Sequence, residues 1–161
     1  MNQGSGQTAI KNDVRALNIL FNAIFMGVII FTGIVVFLNW MEKPVFNDSF
    51  LENIFGIICG LMAIVCTVLA NWIYRKKIQA MNLHYQSVEK KIMDYRGALI
   101  TYLALCDGPA IFGVICYMIT GHSVFLLLTA FMLYIMIQKR PVKARIITDL
   151  QLNSEEQMKL D

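Results

Sequence analysis

Asp107 is the residue from which chemistry can be built. It lies near the middle of a long apolar stretch, and no Lys or Arg falls inside any apolar run of the chain to neutralise it. Protonating a carboxylate at neutral pH costs at most about 4 kcal/mol, less than burying the bare charge in a low-dielectric interior. A neutral side chain is therefore expected unless water or a partner's cation reaches it. Gly108 and Pro109 follow directly. Pro109 cannot donate to the carbonyl of Leu105, so the helix is expected to kink or break there. Three roles are open: capping the outer half-helix through the Ala110 N–H, packing against a partner subunit, or holding a proton, an ion or a substrate amine at a discontinuous helix.

Few other residues offer chemistry. His84 and His122 fall on opposite sides of the chain's apolar runs and read as solvated loop residues. Cys59, Cys66, Cys106 and Cys116 lie inside those runs, where a thiol packs as a small apolar group. Cys59 and Cys66 share a helix face but have no third ligand, so neither a metal site nor a disulfide framework is expected. HExxH, GxSxG, P-loop and dinucleotide fingerprints are absent, and neither enzymatic activity nor a cofactor is expected. Gly56 and Gly60 form a GxxxG with Cys59 and Ala63 beside it, a face that another helix of this chain, or of a second copy, can approach closely. Asn18, Asn22, Thr32, Thr67 and Asn71 are candidates for interhelical hydrogen bonds of roughly 0.6 kcal/mol each. Asn22 and Thr67 are the ones that could reach toward Asp107.

The elements that position these residues follow from hydropathy. Of 161 residues, 57% are apolar and 16% charged, a skew that points to hydrocarbon as solvent. Four apolar runs stand out: 16–40, 50–74, 97–119 and 123–140, the last reaching spanning length only if Lys139 and Arg140 count as flanks. About 20 helical residues cross a core about 30 Å thick. The first run is too long for a signal peptide, and no small-x-small cleavage site follows it. Between the runs lie an N-terminal segment (1–15), an outer loop (41–49), a connector (75–96), an outer turn (120–122) and a tail (141–161).

Of the fourteen Lys and Arg residues, all but Lys43 fall on one side of these runs. The cationic flanks include Arg75, Lys76 and Lys77 after the second run and Lys139 and Arg140 after the fourth, which read as headgroup anchors. By the positive-inside rule that side is cytoplasmic. The fold class expected is an all-α membrane protein with four transmembrane helices in two hairpins, both termini cytoplasmic. The net charge of +3 reflects this topology and does not imply nucleic acid.

Local signals refine the picture. Ser49 and Glu52 form a capping box before the second run. Trp40 marks the outer headgroup level, and Trp72, Tyr74 and Tyr95 the inner one. The connector lacks Gly and Pro up to residue 96 and should be helical, with a turn near 82–87 where Ser87 can cap. Residues 1–8 are expected to be disordered. Pro141 should stop the fourth helix, and Ser154 with Gln157 can start a short terminal one. The words Ala-Ile-Phe and Gly-Val-Ile recur at 23–29 and 110–115, as an internal duplication would require.

Residues 105–114, a carboxylate followed four positions later by Ile-Phe-Gly-Val, resemble the carboxylate region of the proteolipid c subunits of rotary ATPases. That resemblance implies a proton-carrying role for Asp107. It departs from that family in the Asp-Gly-Pro sequence and in lacking a glycine-rich partner helix. The whole chain resembles small four-helix bacterial inner-membrane proteins with an acidic-Gly-Pro third span, which implies an inner-membrane location and no activity. The expected role is an accessory or assembly subunit working through helix–helix contacts, with the lipid bilayer, further copies or a larger membrane complex as partners. The alternative is a proton- or ion-coupled transport component using Asp107.

Overall fold

In a bilayer every backbone N–H and C=O must be satisfied within the chain, so long apolar runs fold as helices. The computed structural model describes residues 3–41, 49–83 and 88–153, with the side chains of 13–41, 50, 52–83 and 90–153. All regular structure among these is helical: α1 (Gln3–Met41), α2 (Ser49–Leu83), α3 (Val88–Thr120), α4 (Val124–Ile137) and α5 (Lys143–Leu150). Three are long and apolar enough to cross a membrane, over Asp13–Met41, Glu52–Leu83 and Lys90–Thr120. The fourth apolar helix, α4, has 14 residues and is about 21 Å long.

Several boundaries differ from expectation. Helix α1 begins at Gln3, so residues 3–8 are helical where disorder was expected. Once residues 9–15 are helical, each residue added before them gains a hydrogen bond without a new nucleus. Helix α4 ends at Ile137, before the flanks that were to lengthen it. Lys139 and Arg140 donate to the carbonyls of Met136 and Ile137 at 3.0 Å each, a tightened last turn forced by Pro141, which disfavours a helical residue before it. Helices α2 and α3 do extend through the basic connector as its composition required. His84, Ser87, Lys43, the pair Ser154 and Gln157, and the side chain of Ser49 with its capping box lie outside the described residues.

Helix α3 is the centre of the bundle. It packs against α1, α2 and α4, while α1 and α2 barely touch each other. Accordingly Tyr95, Ala98, Leu99, Tyr102, Leu103, Cys106, Ala110 and Val114 of α3 are all buried. The rim of α1 and α2, including Ile30, Ile34, Ile57, Leu61 and Ile64, is exposed, as hydrocarbon solvent allows. Helix α5 turns back under the bundle and buries Ile146 and Leu150 against the same core. It ends at Gln151 with φ of 48°, and Leu152 N–H reaches back to the Ile147 carbonyl at 3.2 Å, closing the helix in the manner of a Schellman turn.

Candidate functional site

Helix α3 runs through Asp107, Gly108 and Pro109 without interruption, so the expected break is not there. Proline removes one hydrogen bond and crowds one carbonyl, a cost of about 3 kcal/mol, and the packing of buried Cys106, Pro109 and Ala110 on both sides holds the helix together. Because no helix starts at Ala110, Asp107 has none to cap. Its Oδ1 is sealed from solvent and has no hydrogen-bond partner. Beside it, α1 and α3 leave a cavity of about 230 Å³ lined by Ala23, Ile24, Gly27, Val28, Phe31, Asp107 and Ile111. The carboxyl is the single ionisable group in this lining. A second cavity, of about 440 Å³, lies between α2 and α3 around Gly108 and Pro109 and is lined by apolar residues and Cys66.

The polar residues expected as glue mostly bond to their own helices. Asn18, Thr32 and Asn71 donate to carbonyls four residues back, of Val14, Val28 and Thr67, a local use that Asn and Thr make readily. Thr67 points at the Met132 sulfur, 3.8 Å away, and Asn22 is exposed, so neither reaches Asp107. An interhelical bond that sequence reading missed is Asn39 Nδ2 to the Tyr117 carbonyl, 3.0 Å, which ties α1 to the C-terminal end of α3. Also at that end, His122, an exposed loop residue as expected, places its Nε2 3.0 Å from Glu52 Oε2 and so joins the turn before α4 to α2.

Close helix packing occurs at a different glycine from those expected. Among the described residues nothing lies within 4 Å of a Cβ placed on Gly56 or Gly60, so none of the described helices makes the close approach expected there. A Cβ on Gly113 would meet Thr129 Oγ1 at 2.7 Å and the Phe125 carbonyl at 3.3 Å. Thr129 donates its hydroxyl to the Phe125 carbonyl (3.0 Å) and lies 3.2 Å from the Ala110 carbonyl across the interface. Gly27, its counterpart in the repeated words, has nothing within 4 Å. The four thiols are free, with Cys59 packed beside Cys116 and Phe125. Among the described residues no cluster of three His, Cys, Asp or Glu gathers to hold a metal.

The densest polar cluster sits where α2, α3 and α5 meet. Tyr74 and Tyr95, read from sequence as markers of headgroup depth, face the bundle and are buried, where each can pass its hydroxyl to a partner. Tyr74 donates to Asp149 Oδ2 at 2.6 Å; Tyr95 lies 3.2 Å from the Tyr74 hydroxyl and 3.4 Å from the same carboxylate oxygen. Arg145 Nε is 3.7 Å from it, and Asn82 donates to the Asp149 carbonyl at 3.1 Å. The anchors divide around this cluster. Arg75, Lys76, Lys77 and Arg140 are exposed, with Lys76 Nζ 5.0 Å above the Trp72 ring and Lys77 donating to Thr101 at 3.2 Å. Lys139 is half-buried, its ammonium 4.5 Å from the Tyr74 ring centroid and 5.8 Å from that of Tyr102.

Comparison with protein-family models, with curated proteins and with solved structures returns no match, so the functional reading rests on this geometry.

Proposed function

We propose that the chain crosses the cell (inner) membrane four times, with both termini and the connector 75–96 cytoplasmic, and acts without catalysis as an accessory or assembly subunit of a larger membrane complex. The fourth crossing is supported by what flanks α4. From Thr120 to Tyr102, α3 is about 27 Å long, close to the thickness of the hydrocarbon core. The turn before α4 adjoins Thr120, and Lys139, just after α4, lies over Tyr102. Helix α4 with its short flanks therefore traverses the same depth.

Asp107 supports the assembly role. An oxygen sealed from solvent without a donor costs about 1–3 kcal/mol, and a polar side chain from a neighbouring subunit, entering along the α1–α3 groove, would supply the missing bond. The unfilled faces at Gly56 and Gly60 offer such a neighbour a place to pack.

The cavity at Asp107 favours a second reading, a proton- or ion-coupled transport component with this carboxyl as carrier and further copies completing the path. Asp107→Asn separates the two when tested for pH-dependent flux in liposomes and for complex formation in detergent extracts. The assembly reading expects no flux to lose, and complexes that weaken in Asp107→Leu, which removes the acceptor that the amide keeps. Flux in the wild type that disappears in Asp107→Asn, with complexes intact, would replace it by the transport reading.

A further inference from the structure

We propose that the cytoplasmic ends of α2 and α4, together with α5, form a binding site for the phosphate of an anionic phospholipid headgroup, made by Lys139 and Arg145 with Arg75 at its rim. The site rests on the bilayer reading above but not on the assembly role.

Lys139 is held in place by two tyrosine rings, which fixes its ammonium beside the cluster instead of leaving it to wander in solvent. Among the described residues no carboxylate pairs with it. Asp149 is the carboxylate that acts on it, but its Oδ2 already takes the Tyr74 hydroxyl at 2.6 Å, the Tyr95 hydroxyl at 3.4 Å and Arg145 at 3.7 Å. The charges that act on Lys139 are Arg145 and Arg75, which oppose its ammonium, and Asp149, which favours it; burial opposes it most. Arg145 thus lies against the Asp149 oxygen that already takes the Tyr74 hydroxyl, and Lys139 sits over the ring of that same tyrosine, with Arg75 the next residue on α2. An added anion would neutralise the excess, and a phosphate offers enough oxygens for the guanidinium and the ammonium together.

The surroundings select a lipid as the source of that phosphate. Ile137 and Val142 flank the site and are exposed, as is Trp72 one turn before Lys76 on α2. These give the glycerol and acyl portion apolar surface that inorganic phosphate could not use. The apolar run of α2 stops at Tyr74 and Arg75, the depth at which headgroups meet cationic side chains.

The test is thermal unfolding of the full chain in uncharged detergent with added phosphatidylglycerol, phosphatidylcholine or inorganic phosphate. Phosphatidylglycerol alone should raise the midpoint of the wild type. Lys139→Gln and Arg75→Gln should each weaken its apparent affinity roughly fivefold, Lys139→Arg should retain it, and Lys90→Gln, which removes equal charge elsewhere on the same side, should behave as wild type. Equal stabilisation by phosphatidylcholine, equal weakening by Lys90→Gln, or full replacement by inorganic phosphate would each overturn the proposal. If Lys139→Gln does not fold, Arg75→Gln decides, because Arg75 is exposed. Failure of phosphatidylglycerol to act on a chain that stays helical and detergent-dependent would remove the site and leave the bilayer reading intact.

Discussion

The Tyr74 hydroxyl donates to Asp149 Oδ2 across 2.6 Å, joining residues 75 positions apart. This bond, with the Tyr95 hydroxyl and Arg145 on the same oxygen, makes α5 part of the bundle. Its apolar side, Ile146 and Leu150, would otherwise be a short amphipathic helix that eight residues cannot stabilise alone.

Asp149→Ala should therefore release α5. Two buried phenols would lose an anionic acceptor, at a cost of about 1–3 kcal/mol. Trypsin cleavage after Lys143 and Arg145 in detergent should speed up, while cleavage after Lys90 should not. Tyr74→Phe should give a smaller effect in the same direction, since it removes one donor and leaves Tyr95 and Arg145 in place. Unchanged digestion in Asp149→Ala would mean that apolar burial alone docks the helix.

The glycines divide by environment, and their substitutions should divide the same way. Gly113→Ala puts a methyl 2.7 Å from Thr129 Oγ1 and must push α4 away or turn the threonine off its bonds, costing about 1–3 kcal/mol. Gly60→Ala meets nothing and gains helix propensity, up to about 1 kcal/mol. Thermal unfolding of the isolated chain should show a lower midpoint for the first and an equal or higher one for the second. If the open face serves a neighbouring subunit, Gly60→Leu should reduce recovery of complexes from native extracts while leaving the isolated chain folded.

This contrast marks the limit of what was legible. The three long apolar helices and the weight of Asp107 could be read from composition, because hydrocarbon selects long uncharged runs and makes a lone carboxyl costly. Rotation of each helix about its axis could not. Gly60 sits in a helix-packing motif and Gly113 does not, yet α3 turns Gly113 toward α4, since neighbours on three sides set its rotation. Tyr74 and Tyr95 have the composition of a headgroup belt, and their burial depends on Asp149, whose position in a polar tail gave no hint of a partner. The available signal was the helical spacing of Ile146, Ile147 and Leu150 after Pro141, which predicts a face needing cover.

Asp107→Leu should stabilise the isolated chain. The leucine fills space beside the cavity between α1 and α3 and removes an oxygen with no donor, a gain of up to about 1 kcal/mol once the imperfect fit of the branched side chain is allowed for. Asp107→Asn should change little, because the amide retains the unsatisfied polar group. A lower midpoint for Asp107→Leu would show that the carboxyl already has a partner inside the single chain, water included, and would weaken both functional readings.

Lys139 lies beyond the end of α4, and its ammonium is held below the ordinary lysine value of 10.5, by burial first and then by Arg145 and Arg75. The folded chain thus binds this proton less tightly than the unfolded one. The resulting destabilisation is complete below the folded value and fades as pH rises toward 10.5. The stability of the wild type relative to Lys139→Gln should therefore climb with pH just below that limit. Taking the difference between the two proteins cancels the titration of other lysines and tyrosines. Phosphatidylglycerol should flatten the climb, because an anion at the ammonium restores its affinity for the proton. A difference that is level in detergent alone would show that the Lys139 ammonium is solvated in the folded chain.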